Sequence, residues 1–323
     1  MTTTAPPPHL PEAAEPAAPE PRRNTPSLRR LLLADRFATV SAVILVLAAL
    51  SALVGPWLLG DAAQRQDLSL SKLPPFSFDI GWLGLLGTDP LGRSVLARVI
   101  VASSTTFAVA VPTVLLSMII GTTVGMWAGY HGGKRETFAM RIADVIMSFP
   151  SLLLAVVVLY VFSPSVANIV LILTIARVPI YLRTARAEAA KLRNRGFVDA
   201  ARTFGTTSGA IIRLHILPIL LPTLLTIATL DFCAVTLAES ALSFLGIGIQ
   251  PPDVSWGLMV AEGRTYLRTA WWMSFFPGVA IVVTTVSATG LSSWLRLATD
   301  PEQRWRLITP AARRSRAPKG QIA

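Results

Sequence analysis

Six apolar stretches, at about 37–59, 99–129, 138–161, 165–182, 215–238 and 273–297, constrain this chain more than any other feature. A helix needs about 20 apolar residues to cross the hydrocarbon core of a bilayer. Six such runs in one chain predict an all-α membrane protein with six transmembrane helices. The composition agrees: 52% of the 323 residues are hydrophobic and only 15% charged, more apolar surface than a soluble domain needs. The second run is long enough to tilt or to extend beyond the bilayer. It carries Gly121, Gly125 and Gly129 at every fourth position, a small-residue stripe that lets another helix approach closely.

Charge supplies the orientation. Of the 29 Lys and Arg residues, 23 fall in four segments: the N-terminal arm, 131–141, 177–213 and the C-terminal end. The other six are Arg65, Lys72, Arg93, Arg98, Arg264 and Arg268, in or beside the two long loops of the opposite side. The bias predicts that both termini, and the stretch between the fourth and fifth runs, are cytoplasmic. The net charge of +11 is then a property of topology, and nucleic acid is not an expected partner. Residues 1–27 hold eight of the 24 prolines without apolar periodicity and are expected to be a disordered arm. They are not a secretory signal, because the first apolar run starts too late and is too long. Arg29, Arg30 and Arg36 flank Leu31-Leu32-Leu33, the pattern of a short interfacial helix. The single Cys233 can form no internal disulfide.

Between the fourth and fifth runs lies a polar interlude, Asp199 to Pro218. Phe197, Ala201 and Phe204 fall at i, i+4 and i+7, so its front half reads as a short helix with these three on one face. Gly205 is placed to end it as a left-handed C-cap. Thr206, Thr207 and Ser208 are N-cap candidates for a second helix through Ile211 and Ile212, and Pro218 opens the next apolar run. The expected product is a helix–turn–helix on a membrane face that shows a small amphipathic surface to something soluble.

The interlude also carries the first resemblance. Asp199-Ala200-Ala201, three residues, Gly205, nine residues, then His215-Ile216-Leu217-Pro218 resembles the EAA–G–ILP loop of bacterial ABC importer permeases, with Asp199 in place of the usual Glu. Glu188-Ala189-Ala190 mimics its start, but Asn194 stands at the glycine position. Two outer segments, Gly87 to Ser94 and Leu242 to Pro252 with Ser255-Trp256-Gly257, resemble the C-type subunit of the dipeptide/oligopeptide/nickel branch. So do Gly129-Tyr130-His131-Gly132-Gly133, Met140 to Asp144 and Ser148-Phe149-Pro150. The likeness runs from about Leu31 to Pro301. One departure is Thr289-Gly290-Leu291-Ser292-Ser293, which lacks the acidic residue common there in the family.

The resemblance implies a type I ABC importer-like permease fold with a cytoplasmic coupling helix, in the bacterial cytoplasmic membrane. It implies as partners a second homologous permease, two cytoplasmic ABC ATPases and an extracytoplasmic substrate-binding protein. The coupling residues carried over are Asp199, Ala200, Ala201, Arg202, Phe204, Gly205 and Thr206. The layout is then an arm at 1–27 and an interfacial helix, first transmembrane helix and outer loop at 28–98. A five-helix permease core with a coupling loop at 197–214 follows at 99–300, and a basic cytoplasmic tail at 301–323. Short peptides are the expected cargo, with nickel or haem as alternatives. A channel or scaffold without an ATPase is the reading from another class.

Enzyme chemistry has no foothold. The nearest approach to a phosphate-cradling Gly-x4-Gly-Lys-Ser/Thr is Gly132-Gly133-Lys134, where Arg135 replaces the hydroxyl and Ala128 the leading glycine. His9, His131 and His215 fit no metal-ligand spacing. No catalytic residue, metal or cofactor is expected on this chain; ATP and Mg would be bound by the partner ATPases. Arg177, Asp231 and Glu239 are the ionisable residues within or beside the runs, and such groups usually face a cavity or a partner. Asp231 falls in the outer half of the fifth run, which in this family lines the pathway. It reads either as a counter-charge for a peptide's amino terminus or as a structural pair with Arg177. Glu239, near the outer boundary, is expected to be solvated or hydrogen-bonded. Trp271 and Trp272 read as interfacial anchors.

Overall fold

The computed structural model describes residues 31–33 and 35–299; the expected arm, the basic tail, and Arg29 and Arg30 lie outside them. Among the described residues the secondary structure is helical throughout, apart from one isolated bridge between Thr88 and Ser94. Helix α1 (Arg36–Gln64) starts at Asp35, whose carboxylate accepts from the Phe37 and Ala38 amides, and it leaves much of its apolar surface exposed. Helix α2 (Val95–His131) is 37 residues long and forms the spine of the bundle. After it come α3 (Gly133–Ser148), α4 (Ser151–Val161), α5 (Val166–Leu192) and α6 (Gly196–Thr203). A long helix α7 (Ser208–Phe244), then α8 (Trp256–Gly263) and α9 (Trp272–Thr299), complete the chain.

Among the described residues, five helices are long and apolar enough to span a membrane: α1, α2, α5, α7 and α9. The third expected run, 138–161, is not one straight helix: α3 and α4 meet at an 82° bend. Pro150 causes the break, because its ring drives Phe149 out of the helical region to φ −95°, ψ 137°. Helix α3 is also charged, and α4 alone spans only ~16 Å, so a sixth crossing exists only if the bent pair makes it together. The fourth run extends well past 182, to Leu192.

Helix α2 packs most extensively on α5, as the glycine stripe foretells. A Cβ at Gly121 would lie 2.6 Å from the Val178 carbonyl oxygen, and one at Gly125 or Gly129 closer still to those of Leu182 and Arg186. The two backbones therefore touch along a little over two turns. Helices α1 and α9 pack together and on α2, while α9 and α2 flank α7. Leu31, within the short helical stretch 31–33, is buried with Ala38, Trp294 and Ala298.

At the end of the bundle away from α6, the Gly87–Ser94 segment is a self-capping turn. The Asp89 carboxylate accepts from the Leu91 and Arg93 amides, from Arg93 Nε at 2.6 Å and from Arg98 Nη1 at 2.8 Å. Arg98 passes the link on to Glu262 of α8 at 2.8 Å. Trp272 is not the interfacial anchor expected: it is buried, and its indole N–H donates to the Thr88 carbonyl at 3.0 Å. An indole this deep needs a partner, and the turn supplies it. Trp271 keeps its exposed position.

Candidate functional site

Helix α6 has eight residues, too few to persist alone in water, so its shape is held by what it touches. Val198 is fully buried and Ala201 nearly so; both join a cluster with Met126 and Tyr130 of α2, Ala189 and Leu192 of α5, and Ile211 of α7. Arg202 donates from Nε to the Tyr130 hydroxyl at 3.1 Å and lies over the same ring, with 5.1 Å from guanidinium carbon to centroid. That hydrogen bond pushes the Arg202 pKa up. Arg202 also meets Asp199, one turn back, at 3.2 Å. The helix is thus seated on α2 by two small apolar side chains and one stacked cation.

The expected shared face of Phe197, Ala201 and Phe204 is corrected here. Val198 and Ala201, at i and i+3, point inward, while Phe197 is exposed and Phe204 is 87% exposed. Phe204 is the C-cap, at φ −81°, ψ 12°, so it no longer follows the helical periodicity that projected it onto Ala201. Gly205 does end the helix, with φ +77°. The Gly205 amide donates to the Arg202 carbonyl at 2.9 Å and the Thr206 amide to Ala201 at 3.0 Å, the paired bonds of a Schellman motif. Asp199, Ala200 and Arg202 are exposed beside Phe204, and Thr206 is partly so.

The second helix of the interlude does not stop before Pro218. Thr207 caps it, accepting from the Ala210 amide at 3.4 Å, and it runs on as α7 to Phe244. Pro218 has no N–H, and its ring would press on the carbonyl four residues back. A π segment, Ile212–Ile216, absorbs this, with the Leu217 amide reaching the Ile212 carbonyl five residues back. The α6 turn is therefore joined without a further loop to a helix that traverses the bundle.

That helix carries two of the three ionisable residues within or beside the apolar runs, Asp231 and Glu239. Arg177 Nε of α5 pairs with Asp231 Oδ1 at 2.5 Å, and the Tyr181 hydroxyl donates to Asp231 Oδ2 at 3.2 Å. Of the two readings of Asp231, the pair with Arg177 is the one formed. Its side chain is 1% exposed, and Arg177, at 28%, is the exposed partner. Glu239 is hydrogen-bonded and not solvated: it is fully buried and accepts from Ser243 at 2.8 Å, and Ser243 in turn accepts from the Ile249 amide. The Leu242–Pro252 segment is folded back on α7 by this relay. Sequence patterns missed Val198 and Tyr130 as the seat of α6, although the segment containing Tyr130 stood out.

The chain matches the family model described as binding-protein-dependent transport system inner membrane component, over residues 121–301. It is 36% identical over 281 residues to the probable D,D-dipeptide transport system permease protein of Escherichia coli (strain K12), covering 87% of this chain and 93% of that one. It is 33% identical over 261 residues to a di/tripeptide transport system permease protein of Pseudomonas aeruginosa, covering 80% and 86%. To a dipeptide transport system permease protein of Bacillus subtilis it is 34% identical over 276 residues, 85% of each.

Proposed function

The chain belongs to the binding-protein-dependent transport system inner membrane components, and from that premise we propose that it is one transmembrane half of an ATP-driven importer of short peptides. The observation that carries the coupling part is the build of α6. An exposed aromatic tip, Phe204, stands on a helix anchored from behind by Val198 and Ala201 and joined by the short Gly205 turn to α7. Closure of two ATPases around that tip would push α6. The push would pass into α7 and into the α2 seat, and this half would rock against a homologous partner so that the pathway opens alternately to each side. ATP and Mg belong to the ATPases in this scheme, and this chain does no covalent chemistry. An extracytoplasmic binding protein delivers the cargo, and the excess of basic residues around α6 supports a cytoplasmic side for it and for both termini.

The peptide part is supported by the relatives, whose names specify dipeptide or peptide transport; nothing in them points to nickel or haem. A channel or scaffold without an ATPase would leave Phe204 without a role. Uptake of labelled di- to pentapeptides, in a strain lacking this chain and in one with it restored, tests the reading. Restored peptide uptake that depends on ATP is the expected result. Uptake unchanged by the deletion would refute it.

A further inference from the structure

Arg177 faces a cavity of about 450 Å³ between α4, α5 and α7, walled by Ser151, Leu173, Ala234, Val235 and Ala238. That volume lies in the range of small-molecule sites. The residue sits ~17 Å along α5 from its Val166 end, so the cavity is near the middle of the span. Among the described residues that line the cavity, Arg177 is the one that carries a charge. Its Nε lies 2.5 Å from Asp231 Oδ1 as an ion pair, and the rest of the guanidinium contributes to the cavity wall. Asp231 is spent on Arg177 and Tyr181 and hidden behind them. What the cavity is offered is therefore the outer edge of a guanidinium, held in place from behind.

We infer that this cavity is a substrate subsite in which Arg177 receives the terminal carboxylate of the peptide. The assignment rests on the peptide-importer reading and adds the polarity of recognition to it. Two terminal amino groups in a fixed plane match a planar carboxylate with two parallel hydrogen bonds, which a lysine could not reproduce. An ammonium group brought to the same edge would meet like charge, since the Asp231 carboxylate is buried and already ion-paired with Arg177. The peptide is thus oriented carboxylate toward α5. The Arg177–Asp231 pair is formally neutral, which suits a site that must also release its cargo: the carboxylate gains hydrogen bonds without the full attraction of an unpaired cation. The apolar wall from α4 and α7 leaves room for side chains of varied shape.

The test uses the assembled transporter in proteoliposomes with saturating loaded binding protein. It compares a dipeptide such as Gly-Phe with its C-terminal amide. Because the binding protein is the same throughout, the ratio of variant to wild-type uptake for each peptide isolates the permease. R177Q/D231N, which removes the pair without leaving a buried lone carboxylate, should cut uptake of the free acid at least tenfold and of the amide threefold or less. R177K, which keeps the charge and the contact with Asp231, should still lose at least fivefold on the acid. Equal losses on acid and amide in R177Q/D231N, or R177K carrying the acid at the wild-type rate, would overturn the assignment. If the wild-type transporter carries neither peptide, the peptide reading itself falls and the assignment falls with it.

Discussion

Replacing Val198 by Ala separates the seat of α6 from its tip. The side chain is 0% exposed and packed among α2, α5 and α7 residues, whereas in the undocked state it would meet water. Two buried carbon groups are lost at about 0.8 kcal/mol each, and the residual cavity brings the total to about 2 kcal/mol. Since α6 has eight residues and no independent stability, that loss falls on the docking equilibrium of the whole helix. About 2 kcal/mol is roughly a 30-fold rise in the undocked fraction. Hydrogen exchange on the purified subunit reads this directly. The Gly205 and Thr206 amides, which close the Schellman turn on Arg202 and Ala201, should exchange about 30-fold faster in V198A. Phe204→Ala serves as the control, because an 87% exposed ring supports nothing in this chain and its removal should leave exchange unaltered. Unchanged protection in V198A would refute the view that Val198 holds α6 in place.

Three further outcomes follow from the packing. Gly125→Val should drive α2 and α5 apart, because its Cβ meets the backbone oxygen of Leu182, which cannot rotate away; the cost is at the upper end of about 1–3 kcal/mol, read as lower thermal stability in detergent, with Gly125→Ala milder. Arg177→Gln should destabilise more than Asp231→Asn, since the first strands a buried carboxylate at about 3–5 kcal/mol while the second leaves a partly exposed cation. The double change should restore stability, and a reversed order of the single variants would show the pair to be wrongly ranked. A cysteine near Lys72 or Val254 should react with an impermeant thiol reagent in intact cells, and one at Thr207 only after permeabilisation; labelling of Thr207 from outside would invert the orientation.

Much of the bundle was legible because long apolar runs and a four-residue glycine spacing are direct statements about helices and their contacts. The exception, the third run, shows the limit of hydropathy. Lys134, Arg135, Glu136, Arg141 and Asp144 mark α3 as polar, yet the break needed Pro150 and its effect on Phe149. In the interlude the helix and its glycine stop were readable from local chemistry. The inward face was not: in eight residues the period cannot decide between Phe197 and Val198, and only the α2–α5 surface makes the small side chain the one that fits. The burial of Trp272 was hidden for a related reason, since its partner is a carbonyl 184 positions away in the chain. Likewise the sequence put Arg177 and Asp231 in neighbouring runs but could not say which of the two would be covered. Tyr181, one turn along α5 from Arg177, decides that by taking the second carboxylate oxygen.

The central claim is that α6 is where ATPases engage this chain, and co-purification of the ATPases with tagged Phe204→Ala permease tests it most directly. An exposed aromatic at the centre of a small interface is typically worth about 2 kcal/mol or more. The variant, still inserted and with α6 still protected, should therefore retain roughly 30-fold less ATPase at limiting concentration, and peptide uptake should fall with it. Full association together with full uptake in Phe204→Ala would contradict the claim.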